Sequence, residues 1–227
     1  MSAPRFILWD QDGVLVDSEL WYYEATRREL ATLGAELTAA EYQRLQVSGL
    51  STWDAARERG VDEAAIAAAR ARRDLLYQES LRTRPIEIDG IGEVLATLGR
   101  AHRMAIVTTA RREDFDLIHA KRNLMRHMEF AVMLGDYERA KPHPDPYQAA
   151  LARFGARPEE AVAVEDSRRG LLAARAAGVA CFMVRNRLNV GDAFPEAAGV
   201  VGSVRDLPAA IGAATTTGGG AGDSGAS

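Results

Sequence analysis

Four carboxylates stand directly after two apolar runs of the sequence, where they could carry out metal or phosphoryl chemistry. Asp10 and Asp12 follow Phe6–Trp9, and Glu165 and Asp166 follow a later run. Residues two apart in an extended segment point to the same side, so Asp10 and Asp12 can face one pocket. Gathering these acids is unfavourable unless a cation lies among them, and hard oxygen ligands favour Mg²⁺ over zinc. The pattern predicts a Mg²⁺ site that includes Asp10, Asp12 and Asp166.

Hydroxyl groups and an ammonium group follow other apolar runs. Thr108 and Thr109 come after Met104–Val107, and Lys141 comes after a loop beyond Phe130–Leu134. These groups are suited to hold an anion whose oxygens complete the coordination of the cation, and a phosphoryl group fits that description. Taken singly, each of these polar groups is also explained by a turn, a helix cap or a surface lysine. Their occurrence at successive strand ends favours a phosphate site.

Short apolar runs alternate with longer amphipathic stretches, which is typical of a parallel α/β sheet flanked by helices. Each run is nearly continuously apolar, as expected for a strand that is buried on both faces. The predicted strands are Phe6–Trp9, Met104–Val107, Phe130–Leu134, Val162–Val164 and Ala180–Val184. Ligands of an open parallel sheet bind beyond the carboxyl ends of its strands, which is where the polar groups above lie.

The segment 17–84 interrupts this alternation, because it carries only helical patterns. We expect helices over Glu19–Leu33 and Asp62–Leu81, with shorter ones beginning near Thr38 and Ser51. The two ends of this insert would lie together as a two-stranded hinge, unless the helices simply pack on the sheet.

The domain division follows from these patterns. An α/β core is predicted for residues 1–16 and 85–212, and a helical cap for residues 17–84. Residues 213–227 consist mostly of Thr, Gly, Ala and Ser, so we predict a disordered tail there.

The composition excludes several classes of protein. A chain of 227 residues with 47% hydrophobic residues fits one domain with a smaller insert. No apolar run approaches the roughly 20 residues needed to cross a bilayer. The single Cys181 excludes an internal disulfide, and a net charge of -4 argues against general affinity for nucleic acid. We expect a cytoplasmic protein, monomeric or homodimeric, that contacts no membrane and whose partner is a small molecule.

Arginine dominates the 28 basic residues, since Lys121 and Lys141 are the only lysines. Two arginine clusters are interpreted as solvated helix faces. They are Arg70, Arg72 and Arg73, and Arg111 and Arg112.

Four stretches of the sequence, each around one of the polar groups above, form a recognisable set of motifs. They are FILWDQDGVLVDSE at 6–19, VTT at 107–109, KPHPDPY at 141–147 and VEDSRRGLLAARAAG at 164–178. Together they resemble the haloacid dehalogenase superfamily, helical-cap subfamily I, in its phosphoglycolate phosphatase and β-phosphoglucomutase-like group. The resemblance spans about residues 5–185. It implies a Rossmann-like, doubly wound parallel sheet with a mobile α-helical cap inserted after the first motif.

The resemblance also implies a reaction in two displacements. Asp10 would attack the phosphorus and become an aspartyl-phosphate. Asp12 would protonate the leaving alkoxide and then deprotonate the attacking water. The implied Mg²⁺ ligands are Asp10, the backbone carbonyl of Asp12 and Asp166.

Further residues take supporting roles in the implied site. Thr108, the N–H of Thr109 and Lys141 would neutralise the charge that develops on the phosphoryl oxygens. Glu165 would ligate the metal through water or orient its neighbours, and Gly13 would leave room for the chain to turn beside the phosphate.

Two related reactions are disfavoured by the sequence. The dehalogenase and phosphonate-cleaving branches lack an acid at the position of Asp12. The phosphonate-cleaving branch also places a Schiff-base lysine in the cap, and this sequence has no lysine before Lys121. Phosphoryl transfer is therefore preferred.

A sugar phosphomutase similar to the β-phosphoglucomutases remains an alternative. Those enzymes use a basic cap loop and a cap histidine for a second phosphate. Tyr22 occupies the histidine position here, and the loop 48–52 supplies hydroxyls. The cationic clamp would be lacking unless Arg44 or Arg57 reaches inward, so we prefer hydrolysis of a small phosphomonoester.

Substrate selection is expected from the cap. The candidate residues are Tyr22, Ser48, Ser51 and Thr52, with Trp21 and Trp53 equally suited to cap packing and Arg111 and Arg112 on the core side. A protein of another class, a non-catalytic phosphate-binding module, would keep the motifs without turnover. Receiver domains gather similar residues, but on different strands of the sheet.

Overall fold

Parallel strands form one six-stranded sheet in this computed structural model, which describes residues 4–48 and 50–216, without the side chains of 46–48 and 214–216. The strands are β1 (Phe6–Trp9), β2 (Arg103–Val107), β3 (Phe130–Val132), β4 (Ala161–Glu165), β5 (Ala180–Val184) and β6 (Gly199–Val201). Their order is β3-β2-β1-β4-β5-β6. The chain therefore fills one half of the sheet and then returns to β4, so β1 and β4 flank the switch point where such sheets bind ligands. The predicted Rossmann-like fold class is confirmed.

Helices cover both faces of the sheet and form the insert. Their bounds are α1 (Glu19–Thr32), α2 (Ala39–Ser48), α3 (Asp54–Glu58), α4 (Glu63–Thr83), α5 (Ile91–Leu98), α6 (Arg112–His119), α7 (Asp145–Phe154), α8 (Arg168–Ala176) and α9 (Leu207–Thr216). Within the described ranges, none of them is long and apolar enough to cross a bilayer.

Alternate residues of β1 enter two different hydrophobic clusters, which explains why the whole strand is apolar. Ile7 and Trp9 pack on one face with residues of α5 and α9. Phe6 and Leu8 pack on the other face with residues of α7 and α8. The strand is thereby packed on both faces, and this packing positions its carboxyl end at the switch point.

Among the described residues, the insert forms four helices that share a hydrophobic cluster of their own. Leu30, Trp53 and Ile66 are buried in that cluster. The Asp62 carboxylate accepts the Ala65 N–H at 2.7 Å and caps α4.

The two connections between insert and core lie side by side. The Asp17 N–H donates to the Ile86 carbonyl at 2.9 Å, and Val16 pairs antiparallel with Glu87. The predicted hinge segments are therefore neighbours, and their motion stays a prediction.

Most predicted strands and helices differ from the observed ones by one or two residues at an end, and three differences have a physical reason. Strand β3 ends at Val132 rather than Leu134, because the Met133 N–H donates to the Asp136 carboxylate at 2.9 Å and the chain turns. Strand β6 was not predicted, since three residues beginning with Gly199 carry no usable period. Helix α9 continues to Thr216, so residues 213–216 of the predicted tail are helical, while 217–227 lie outside the described residues.

Candidate active site

Lys141 joins the carboxyl ends of β1, β2 and β4. Its Nζ donates to Asp10 Oδ1 at 2.7 Å, to Glu165 Oε1 at 2.6 Å and to the Val107 carbonyl at 2.9 Å. These bonds use all three donors of the ammonium group. Burial opposes the charge on Lys141, but Asp10 and Glu165 together hold its pKa above the usual range. The structure therefore brings together a predicted nucleophile, a fixed cation and the predicted supporting acid.

Glu165 is surrounded by donors of the protein. Besides the Lys141 bond, the Tyr147 hydroxyl donates to Oε1 at 2.6 Å and the Ser167 hydroxyl to Oε2 at 3.1 Å. A Cβ on Gly170 would lie 2.0 Å from this carboxylate, so only glycine allows α8 to pass so close. Of the two roles expected for Glu165, these contacts support the orienting one. Sequence reasoning missed Tyr147, which lies on a helix rather than at a strand end.

Three acids converge at the switch point. Ligand oxygens of Asp10, Glu165 and Asp166 lie within 4.8 Å of one another. Burial raises the pKa of Asp10 to about 7, and the neighbouring Glu165 adds to the rise. Burial, followed by Asp10 and Glu165, raises the pKa of Asp166 well above its usual range. Such an excess of buried carboxylates matches the donor set of a hard divalent cation.

Two asparagines hold Asp166 in place. Asn186 Nδ2 donates to Asp166 Oδ2 at 2.7 Å, and Asn189 Nδ2 donates to its backbone carbonyl at 2.7 Å. Both asparagines follow β5. A search for polar residues after the carboxyl end of this strand, as was done for the other strands, would have found them. Gly13 has φ 82, and a Cβ there would lie 1.9 Å from Asp166 Oδ2. Any side chain at position 13 would therefore clash with the Asp166 carboxylate, which occupies this space.

Both carboxylate oxygens of Asp12 accept hydrogen bonds. The Ser18 hydroxyl donates to Oδ1, and Gln11 Nε2 donates to Oδ2 at 3.3 Å. Burial raises the pKa of Asp12, while these donors oppose the rise. Asp12 therefore takes up a proton more readily than an ordinary aspartate does, which suits a group that must change its protonation state.

The hydroxyl residues after β2 lie at different depths. Thr108 is fully buried, and its Oγ1 accepts the Ala110 N–H at 3.0 Å. Thr109 lines the cavity, and its Oγ1 lies 3.4 Å from a guanidinium nitrogen of Arg169. Among the described residues, no acceptor is found for the Thr108 hydroxyl proton, and its role toward phosphate stays a prediction.

A cavity of about 520 Å³ lies between cap and core. The core side includes Asp10, Asp12, Thr109, Lys141, Asp166 and Arg169, and the cap side includes Glu19, Tyr22, Tyr42, Ser51, Thr52 and Trp53. Three of the four predicted cap residues thus reach it, while the Ser48 side chain lies outside the described residues. Trp21 packs under the Arg84 guanidinium instead. The volume is typical of a site for a small metabolite.

The interpretation of the arginine clusters as solvated faces is wrong for three members. Arg70, Arg73 and Arg111 line the cavity. The guanidinium of Arg73 is 4.3 Å from the Tyr22 ring centroid, and that of Arg70 is 5.6 Å from the Trp53 centroid. Helical periodicity assigns such residues to a face, but it does not say which face meets a cavity. Arg111 lies where the other expectation put it, on the core side of the cavity, whereas Arg72 and Arg112 are exposed and Arg112 is not among the residues that line the cavity.

Comparison with known proteins identifies the family of the chain. Residues 7–184 match the family model of the haloacid dehalogenase-like hydrolases. The chain is 29% identical to a phosphorylated carbohydrates phosphatase of Thermotoga maritima, over 86% of this chain and 91% of the relative. It is 30% identical to protein CbbY of Cereibacter sphaeroides, over 90% of this chain and 98% of the relative.

A solved structure is similar over the same range. The crystal structure of CbbY from Rhodobacter sphaeroides in complex with phosphate superposes with a TM-score of 0.77 at 24% identity, covering 92% of this chain and 99% of that chain. The chain belongs to the haloacid dehalogenase-like hydrolases, so the family resemblance is confirmed and the protein is an enzyme of that family.

Proposed function

We propose that this protein is a Mg²⁺-dependent phosphatase that hydrolyses a small phosphomonoester through an aspartyl-phosphate on Asp10. The observation that carries the proposal is the pairing of Lys141 with Asp10 beside the buried acids Glu165 and Asp166, on the floor of a metabolite-sized cavity. The Thermotoga maritima relative is by name a phosphatase of phosphorylated carbohydrates, which supports a substrate of this kind.

Asp10 is the nucleophile of the proposed reaction. Its Oδ1 is bonded to Lys141, and its carboxylate lines the cavity although the residue is only 8% exposed. Fixing one oxygen leaves the other free to attack the phosphorus in line. Lys141 opposes the rise in the pKa of Asp10 and so favours the ionised nucleophile, and its positive charge would stabilise the charge that develops on the phosphoryl oxygens.

Asp12 is the general acid and base. It lines the same cavity and is held by the Ser18 hydroxyl, which can donate to the ionised acid or accept from the protonated one. It gives a proton to the leaving alkoxide and then takes one from the water that hydrolyses the aspartyl-phosphate.

A divalent cation fits the acidic cluster. Asp10, Asp166 and the backbone carbonyl of Asp12 would hold it, while Glu165 is engaged by Lys141, Tyr147 and Ser167. Bound Mg²⁺ would lower the repulsion between the acids and the incoming phosphoryl oxygens. Thr109 N–H and the Thr108 hydroxyl complete the set of donors proposed for phosphate.

A sugar phosphomutase is the second candidate, because the cap brings arginines to the cavity although its loop 48–52 contains none. Arg44 is exposed, and Arg57 is engaged by Asp54 and Glu63, so neither supplies the expected clamp. Arg70 and Arg73 line the cavity instead, and a second anionic group on a substrate could meet them. Tyr22, at the position of the mutase histidine, still favours hydrolysis.

The test is a panel of phosphorylated metabolites with assays for inorganic phosphate and for isomerised product. We expect phosphate release in Mg²⁺ that is abolished by chelation and by Asp10→Asn. Interconversion of hexose phosphates without net phosphate release would select the mutase. An intact protein that binds phosphate compounds without turning any over would select the non-catalytic module.

A further inference from the structure

Gln11 is a buried polar side chain that has no part in the chemistry proposed above. It is 0% exposed, and a buried amide costs free energy unless both of its ends are bonded. Its Nε2 donates to Asp12 Oδ2 at 3.3 Å, and its Oε1 lies 3.0 Å from His119 Nε2. The amide therefore connects Asp12 to a histidine of α6 that is not among the described residues lining the cavity.

His119 determines which end of the amide faces Asp12. Its Nδ1 is buried without a hydrogen-bond partner among the described residues, so a proton placed there would be unsatisfied. Burial, with a smaller contribution from Arg122, lowers the pKa of His119 to about 4 and keeps the ring neutral near pH 7. The single proton of the neutral ring is then on Nε2, which donates to the Gln11 oxygen. Phe115, at 4.2 Å between ring centroids, packs against the imidazole.

The opposite orientation of the amide is disfavoured at both ends. It would turn the Gln11 oxygen toward the Asp12 carboxylate and the NH₂ group toward the Nε2–H of His119. Oxygen would meet oxygen, and donor would meet donor. The Gln11 NH₂ group is therefore directed to Asp12 as long as His119 is present.

We propose that Gln11 and His119 are positioning residues for Asp12, with His119 fixing the Gln11 amide and Gln11, together with Ser18, fixing the carboxylate. The inference rests on the proposed role of Asp12 as general acid and base. Two donors on different oxygens stop the carboxylate from rotating, so the acid stays aimed at the leaving oxygen. Because neither residue is among the described residues that line the cavity, we expect the effect on kcat rather than on KM.

The test compares two leaving groups in single turnovers with enzyme in excess. An alkyl phosphate needs a proton on its leaving oxygen, whereas p-nitrophenolate leaves without one. Gln11→Met and His119→Phe should each slow cleavage of the alkyl phosphate by about 10-fold, a part of the 10²–10⁴-fold that a general acid contributes. Cleavage of p-nitrophenyl phosphate should change little, which also reports that each variant is folded.

Two further variants separate positioning from simple packing. Because His119 acts only through Gln11, the double variant Gln11→Met/His119→Phe should be no slower than Gln11→Met alone. His119→Gln keeps a donor toward Gln11 and should restore much of the alkyl phosphate rate. Equal slowing of both substrates, or additive effects in the double variant, would overturn the proposal.

Asp12→Asn distinguishes failure of this inference from failure of the proposed function. It should remove alkyl phosphate cleavage more completely than either positioning variant. If Asp12→Asn leaves the dependence on the leaving group intact, the role of Asp12 is wrong and the positioning role falls with it. If wild-type protein cleaves neither substrate, the proposed function fails first.

Discussion

At the scale of single residues, the site depends on a buried cation that is shared between two acids. Lys141 is charged although its side chain is only 2% exposed, because Asp10 and Glu165 bond to it directly. A buried charge is stable only with such partners, and each partner must itself be held. Tyr147 is not among the described residues that line the cavity, yet it holds Glu165 and thereby helps to position the Lys141 ammonium group.

Tyr147→Phe tests this dependence. Loss of a hydrogen bond to a buried carboxylate should cost about 1.5–3 kcal/mol of unfolding free energy and lower kcat, because Lys141 loses its fixed partner. Tyr23→Phe is the matched control, since its hydroxyl donates to the neutral Leu37 carbonyl in the cap at 3.2 Å. That change should cost about 0.5–1.5 kcal/mol and leave kcat unchanged. Denaturant unfolding and steady-state kinetics of both variants check the difference, and identical behaviour would contradict it.

At the scale of elements, the sheet aligns the site and close packing of one helix completes it. The polar groups at the ends of β1, β2 and β4 converge because parallel strands end at one edge. Helix α8 begins next to Glu165, and Gly170 permits its approach. Packing of α8 on the sheet is therefore part of the geometry of the acids.

Gly170→Ala should disturb the site through this contact. A Cβ 2.0 Å from the Glu165 carboxylate forces either the helix or the acid to move, at a cost of about 1–3 kcal/mol with loss of activity. The control is Gly92→Ala in α5, where nothing lies within 4 Å of the added Cβ. That variant should be neutral or up to about 1 kcal/mol more stable, because alanine favours helix. Thermal unfolding and phosphate release measure both effects, and an active, stable Gly170→Ala would refute the contact.

Site residues could be predicted from the sequence where a residue follows the end of a buried strand, or where a hydrophobic repeat shows which way a helix or strand faces. Asp10, Lys141 and Asp166 were found in this way, because each follows a buried strand. Contacts made by helix residues across the fold carry no such signal, which is why Tyr147 and Arg73 were missed. The positions of Tyr147 and Arg73 in the site depend on how helices pack in the folded protein, and no local pattern of the sequence predicts that packing.

At the scale of the whole molecule, cap and core enclose the cavity and a separate cluster joins them. Val16, Tyr77 and Ile118 come from the connection, the cap and the core, and they pack together in this cluster. The next residue of α6 after Ile118 is His119, which lies close to the junction and is kept neutral by burial. Protonation of this ring therefore affects the stability of the assembled molecule.

Acid should destabilise the protein through His119. The pKa of the folded state is lowered from 6.5 to about 4, so the unfolded chain binds this proton more tightly. The stability that depends on the neutral ring is complete above about pH 6.5 and is lost progressively as the pH falls toward 4. Urea unfolding across this range should show a smaller pH dependence for His119→Asn than for wild type. Equal slopes would mean that the ring is not kept neutral.

The most direct test of the central claim is to find the phosphoryl group on Asp10. Protein mixed with a substrate in Mg²⁺ is quenched in acid, reduced with borohydride and digested with trypsin, which releases the peptide Phe6–Arg27. An aspartyl-phosphate becomes homoserine under this treatment, and fragment masses assign it within the peptide. The account predicts homoserine at position 10 only, absent without substrate. Rapid phosphate release with Asp10 unmodified, or homoserine at another position, would contradict it.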